Sequence, residues 1–155
     1  MKEFIPNIIT GVCTLIGALG GVYWTQKGNK NILEQQVTRD KIKEKRNDLI
    51  ETLEIYSRVL KADGENVIII KDGGPFLDFD LDAYQNEIRP ILYEKYYLLN
   101  DDVAKIIAGM DGCIKKCNYN HGMEREDHDY FNRNYYQLIN NIRQHVYNFR
   151  QRDMN

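Results

Sequence analysis

The residues best suited to bind a metal lie in the second half of the chain. Cys113, Cys117, His121 and His128 have the spacing Cys-x3-Cys-x3-His-x6-His. Thiolate sulfur and imidazole nitrogen are ligands that zinc prefers, and the first three residues would lie one turn apart on a helix. Structural zinc sites use the tighter Cys-x2-Cys spacing, however, and Gly122 would interrupt the helix. We therefore predict a buried cysteine position beside loop histidines, with no bound metal and no cofactor.

A basic, tyrosine-rich stretch near the C-terminus has residue types suited to binding another macromolecule. Between Tyr130 and Arg152 there is no Asp or Glu. Arg, Asn, Gln and Tyr contact phosphates and bases in nucleic-acid complexes, and Tyr and Arg also dominate protein interfaces. On a helix, outward positions of this stretch form the candidate interaction face: Arg133, Tyr136, Arg143, Tyr147 and Arg150.

The charge distribution favours a protein partner over nucleic acid for this face. The chain has a net charge of −2, and residues 62–102 contain ten acidic against three basic residues. Within that segment, Asp78, Asp80 and Asp82 could pair with the arginines. Nucleic-acid binding is therefore the less favoured alternative.

No catalytic pattern stands out in the sequence. There is no phosphate-binding loop with Lys and Ser/Thr, and no nucleophile elbow. None of the histidines has a plausible Ser or Cys partner for a catalytic triad. We therefore expect a non-enzymatic protein.

Helical periodicity predicts a mainly α fold in which a small helical bundle positions these residues. The strongest repeat covers residues 124–150, and further helices are predicted at 82–99, with a kink at Pro90, and at 102–118. A longer helical pattern covers residues 32–61, and its polar first half is typical of a solvated stalk or weak coiled coil. Its apolar positions recur at heptad-like intervals: Ile42, Leu49, Leu53, Tyr56 and Leu60.

The sequence predicts a short β-hairpin near residues 67–81. The β-branched residues 67–70 precede a glycine-rich turn, after which Leu77, Phe79 and Leu81 alternate with acids. An extended loop is the alternative. A two-stranded hairpin is only marginally stable in water, so it would have to pack on the helices.

The N-terminal stretch is predicted to be a transmembrane helix. Residues 4–26 contain no charge, and residues 4–24 would span about 31 Å as a helix, the thickness of a bilayer core. Tyr23 and Trp24 are expected as anchors at the membrane interface, followed by Lys27 and Lys30. A cleaved signal peptide, ending near residue 20, and a buried core helix are the alternatives.

The flanking charges predict the orientation of this helix. Seven Lys and Arg residues occur within residues 25–46, whereas the N-terminal flank carries one Lys and one Glu. The positive-inside rule places the N-terminus outside and the C-terminal domain in the cytoplasm. Gly17 and Gly21 form a Gly-x-x-x-Gly pair that could pack two such helices together.

These patterns predict three parts: an anchor at 1–26, a polar helical stalk at 27–47 and a helical bundle at 48–155. The corresponding function is a membrane-tethered protein-interaction or scaffold module of bacterial or phage type, in the cell membrane. We expect a homo-oligomer, formed through the anchor or the stalk, and a protein partner. The alternatives are a membrane-anchored nucleic-acid organiser and a phage envelope or lysis-related protein.

Overall fold

A computed structural model describes the backbone of residues 4–71 and 76–152, and the side chains of residues 30, 32–71 and 76–151. The protein is mainly helical, as predicted, with one small two-stranded sheet. Helix α1 spans Phe4–Glu65, and strands β1 (Ile69–Ile70) and β2 (Asp78–Phe79) follow it. Four helices complete the order: α2 (Leu81–Ala83), α3 (Arg89–Glu94), α4 (Asp101–Tyr119) and α5 (Arg125–Arg152). The chain divides into two compact units, Met1–Arg46 and Asn47–Asn155.

From residue 4 onward the first unit is helical backbone, and the helix continues through residues 28–31. Its described side chains are exposed, including the apolar Ile32, Leu33 and Val37. None of the helical stretches with described side chains combines the length and hydropathy of a bilayer-spanning segment. The predicted anchor, with Gly17, Gly21, Tyr23 and Trp24, lies outside those described side chains.

The second unit has one apolar core, to which the C-terminal part of α1, the hairpin, α3, α4 and α5 contribute. On α4 the buried residues follow the helical repeat: Val103, Ile106, Ile107, Met110, Ile114 and Cys117. The α1 side of the core is fixed by polar contacts as well. Thr52 Oγ1 lies 3.1 Å from the Leu98 carbonyl, and the Tyr56 hydroxyl donates to Asn100 Oδ1 at 2.8 Å. These contacts tie α1 to the loop that precedes α4.

Pro90 explains the irregular segment between the hairpin and α4. Proline has no N–H, and its ring would clash with the carbonyl four residues earlier in a regular α-helix. The backbone widens into a π-helical turn over Tyr84–Ile88, in which the Arg89 N–H donates to the Tyr84 carbonyl. Pro90 then lies in the first turn of α3, where a missing N–H is tolerated. A 3₁₀ turn at Tyr96–Leu98 leads into α4.

The predicted hairpin near 67–81 is confirmed as an antiparallel pair of very short strands. Ile69 is opposite Phe79, and Ile70 is opposite Asp78. The pair packs on α5, where the Phe79 ring stacks on Phe131 with centroids 5.0 Å apart. Packing on a helix supplies the stability that an isolated hairpin lacks.

Candidate interaction surface

Helix α5 carries the predicted interaction face, and its opposite face fills the core. The buried residues Phe131, Tyr135, Leu138 and Ile142 recur every three or four positions, which places them on one side of a helix. Asp127 fixes the start of the helix, because its Oδ2 accepts from the Glu124 N–H at 3.0 Å. The residues between the buried positions therefore face outward in a defined order.

The five predicted residues fall on one exposed line of α5, which we call the α5 stripe. With Asn140, which was not among the predicted residues, the stripe has spacings of 3, 4, 3, 4 and 3 residues and a length of about 26 Å. Every member is exposed: Arg133, Tyr136, Asn140, Arg143, Tyr147 and Arg150. The stripe thus has an arginine at each end and one near its centre, with tyrosine or asparagine between them.

Arg143, near the centre of the stripe, is held by Asp63, which is not one of the three acids predicted as its partners. Its Nη2 donates to Asp63 Oδ2 at 3.2 Å, and the Tyr135 hydroxyl donates to Asp63 Oδ1 at 2.7 Å. The predicted partners were Asp78, Asp80 and Asp82. Asp80 instead caps α2, because its carboxylate accepts from the Ala83 N–H at 2.8 Å. A carboxylate at the end of α1 therefore orients the arginine.

The other arginines of the stripe have no such partner. Within the described residues, neither Arg133 nor Arg150 forms an ion pair or a hydrogen bond through its side chain. Four N–H groups of Arg143 also remain after its bond to Asp63. The stripe therefore presents unused donors to any molecule that binds there.

A groove of about 330 Å³ lies beside the centre of the stripe. One wall is α5, from Tyr135 to Arg143, and the other is the chain from Asp63 to Ile69. Exposed side chains with apolar surface line the groove, including Val67, which is 71% exposed, and Tyr136, which is 55% exposed. A groove with an apolar lining and a fixed charged pair is suited to hold a side chain of a partner.

The cysteines of the Cys-x3-Cys-x3-His-x6-His pattern lie near a carboxylate rather than near the histidines. The sulfur atoms of Cys113 and Cys117 and an Asp127 oxygen lie within 4.8 Å of one another. His128 is directed elsewhere, because its Nδ1 accepts from the Phe79 N–H at 2.9 Å. The pattern Cys-x3-Cys-x3-His-x6-His therefore does not assemble as one site with His128.

The oxygens of Asp127 are already occupied by internal donors. Lys116 Nζ lies 2.9 Å from Oδ1, which Cys113 also contacts, and Oδ2 accepts from the start of α5. Hydrogen bonding to Lys116 lowers the pKa of Asp127. Burial raises the pKa of the Cys113 thiol to about 12, so the thiol stays protonated at neutral pH. An ammonium at the carboxylate and protonated thiols both disfavour a cation.

A second polar cluster joins α3 to α4. Arg89 Nε donates to Asp111 Oδ1 at 2.9 Å, and the Tyr93 hydroxyl donates to Asp111 Oδ2. Burial alone would raise the pKa of Asp111, but the hydrogen bonds from Arg89 and Tyr93 outweigh burial and lower it. The charged and polar groups of this cluster bond to one another, so the cluster links α3 to α4.

No protein-family model matches this chain, and no match was found among the curated proteins or the solved structures. The fold defines the second unit as a small helical domain with one hairpin.

Proposed function

We propose that the protein is a membrane-tethered, non-enzymatic interaction module of bacterial or phage type that binds a protein partner through the α5 stripe. The observation that carries this proposal is the stripe itself, with its exposed arginines and tyrosines. Tyrosine and arginine supply large contact area and several donors per side chain, which is why they dominate interface hot spots. The groove beside the stripe adds a concave element that a partner could fill.

The charges along the stripe support a protein partner over nucleic acid. The central Arg143 shares its charge with Asp63. Asp129 lies four residues before Arg133 on the same side of the helix and is exposed. A phosphate backbone would be repelled by that carboxylate, whereas a protein surface of mixed charge would not.

The proposed tether is the uncharged stretch of residues 4–26, with Tyr23 and Trp24 at the interface and the second unit in the cytoplasm. The supporting argument is its length without charge and the basic flank that follows it. Packing through Gly17 and Gly21, or through the exposed apolar residues of the stalk, would bring two copies together. Two linked copies would raise the avidity of a weak contact without any new interaction.

Site-specific photo-cross-linking in the native host tests this function. A photoreactive amino acid replaces Tyr136 in the stripe, and in a matched control it replaces Tyr119, which is 85% exposed at the end of α4. We expect a discrete protein adduct from position 136 that survives nuclease treatment, and none from position 119. Adducts of equal yield at both positions, or an adduct that nuclease removes, would reject the proposal.

A further inference from the structure

The register of the hairpin shows which backbone groups point away from the sheet. The Asp80 N–H donates to the Ile68 carbonyl at 2.8 Å, so this opposed pair is of the hydrogen-bonded type. Hydrogen-bonded and non-hydrogen-bonded pairs alternate along antiparallel strands. Ile69 and Phe79 are therefore a non-hydrogen-bonded pair, whose N–H and C=O groups face outward. Val67 and Lys71 lie outside β1, and the same alternation, extended by one residue beyond the Ile68–Asp80 and Ile70–Asp78 pairs, would direct their backbone groups outward as well.

The outer edge of β2 is closed by α5. The Phe79 N–H donates to His128 Nδ1 at 2.9 Å, and the Leu77 carbonyl accepts from Asn132 Nδ2 at 2.8 Å. His128 and Asn132 are four residues apart, so both lie on the helix face that meets the strand. Two side chains of α5 thus hydrogen-bond the backbone groups at the outer edge of β2, where a further strand could otherwise pair.

The outer edge of β1 is open in the part of the chain that the structure describes. There, the backbone groups of Val67, Ile69 and Lys71 have no hydrogen-bond partner on that side. Val67 and Ile69 also line the groove beside the stripe, with Arg143 on the opposite wall. An unpaired edge beside an apolar groove offers both parts of strand recognition, which are main-chain hydrogen bonds and a pocket for a side chain.

We propose that β1 accepts an extended, acidic segment of the partner protein as a third strand, with one of its side chains in the groove. This inference rests on the proposed function and specifies the kind of partner. The charge of Lys71 at this edge favours an acidic segment, because Lys71 is exposed and forms no ion pair among the described residues. Arg143 keeps free donors, whereas both oxygens of the neighbouring Asp63 already accept hydrogen bonds.

The substitution Ile69→Pro tests the strand directly. Proline removes an N–H that points outward, so no bond of the hairpin is lost, and proline is tolerated on edge strands. Ile69→Val is the matched control, because it keeps the N–H and an apolar side chain. The probe is a displayed library of random peptides, selected on the full-length chain in detergent micelles.

We expect the selected peptides to be acidic and to lose about tenfold in affinity for Ile69→Pro, which corresponds to about one hydrogen bond. Affinity for Ile69→Val should stay within about twofold. Amide exchange of Ile69 in the unsubstituted chain should slow when the peptide binds. Methylation of alternate peptide nitrogens should abolish binding, and this arm does not depend on the folding of any variant.

Several outcomes would overturn the third strand. These are failure to select any acidic peptide, equal binding by both variants, unchanged Ile69 exchange, or full binding by methylated peptides. If the photo-adduct at position 136 persists in Ile69→Pro at full yield, the stripe still binds a protein and only the strand is rejected. If the adduct is absent from the unsubstituted chain as well, the proposed function itself fails.

Discussion

The two faces of α5 differ in what holds their side chains, although the same three- and four-residue spacing generates both. On the buried face, Phe131 and Leu138 are surrounded by the core, so their conformation is fixed by packing. On the α5 stripe, Arg143 is held by Asp63, whereas Arg133 and Arg150 have no partner among the described residues. Residues of the first face should therefore determine stability, and residues of the second should determine recognition.

The largest effect should come from deleting a side chain on the buried face. Leu138→Ala removes a fully buried side chain and should lower the free energy of unfolding by about 3 kcal/mol. Its matched control is Tyr136→Ala on the stripe, which should change stability by less than about 0.5 kcal/mol. Chemical denaturation of both variants measures the difference. Equal losses would show that the stripe is part of the core.

A smaller difference in stability should separate substitutions at Tyr84 and Tyr135, whose rings meet edge to face with centroids 6.2 Å apart. The Tyr135 hydroxyl donates to Asp63, so Tyr135→Phe should cost about 1–2 kcal/mol in the free energy of unfolding. The buried Tyr84 hydroxyl has no hydrogen-bond partner in the described part of the chain, so Tyr84→Phe should be neutral or stabilising. The denaturant midpoint should fall for Tyr135→Phe and should stay the same or rise for Tyr84→Phe. A loss in both would mean that Tyr84 has a partner.

Acid should weaken the start of α5. The pKa of Asp127 is lowered by Lys116, so the charged carboxylate stabilises the fold above its unfolded pKa of about 3.9. This contribution is lost as pH falls through the lower pKa of the folded state. The stability difference between the unsubstituted chain and Asp127→Asn should therefore shrink below about pH 4. A difference that stays constant in urea unfolding from neutral to acidic pH would contradict this assignment.

No effect is expected from metal removal. Because Asp127 is occupied by Lys116 and the Cys113 thiol is held protonated, the purified protein should carry no stoichiometric zinc. Chelator treatment should leave the thermal midpoint unchanged. Elemental analysis that finds about one equivalent of zinc, lost in Cys113→Ser, would make this cluster a metal site.

Much of the core of the second unit could be predicted from sequence, because helical burial repeats locally. The helical repeat places Val103, Ile107 and Met110 on one side of α4, and all three are buried. It likewise places Phe131 and Leu138 on one side of α5, and both are buried. Local periodicity is sufficient for such positions, since 3.6 residues per turn decides which side chains share a face.

The contacts that orient the candidate surface could not be predicted in the same way. Asp63 and Arg143 are 80 residues apart in sequence, and no local pattern pairs them in preference to Asp78, Asp80 or Asp82. The closure of the β2 edge by Asn132 likewise depends on where the hairpin packs. Both contacts depend on how segments distant in sequence pack together, which is seen only in the folded structure.

The most direct test of the account is duplex DNA binding by the full-length chain in detergent micelles, measured against salt concentration. If the stripe recognises protein, no salt-dependent DNA binding should appear at physiological ionic strength. The substitutions Arg133→Ala and Arg150→Ala should then leave the measured DNA binding unchanged. The alternative is that four arginines of the C-terminal helix contact phosphates: Arg133, Arg143, Arg150 and Arg152. In that case log affinity would fall with log salt at a slope near −3.6, and each Arg→Ala substitution would reduce the magnitude of that slope by about one. A slope steeper than about −3 would contradict the central claim that the α5 stripe is a protein-binding surface.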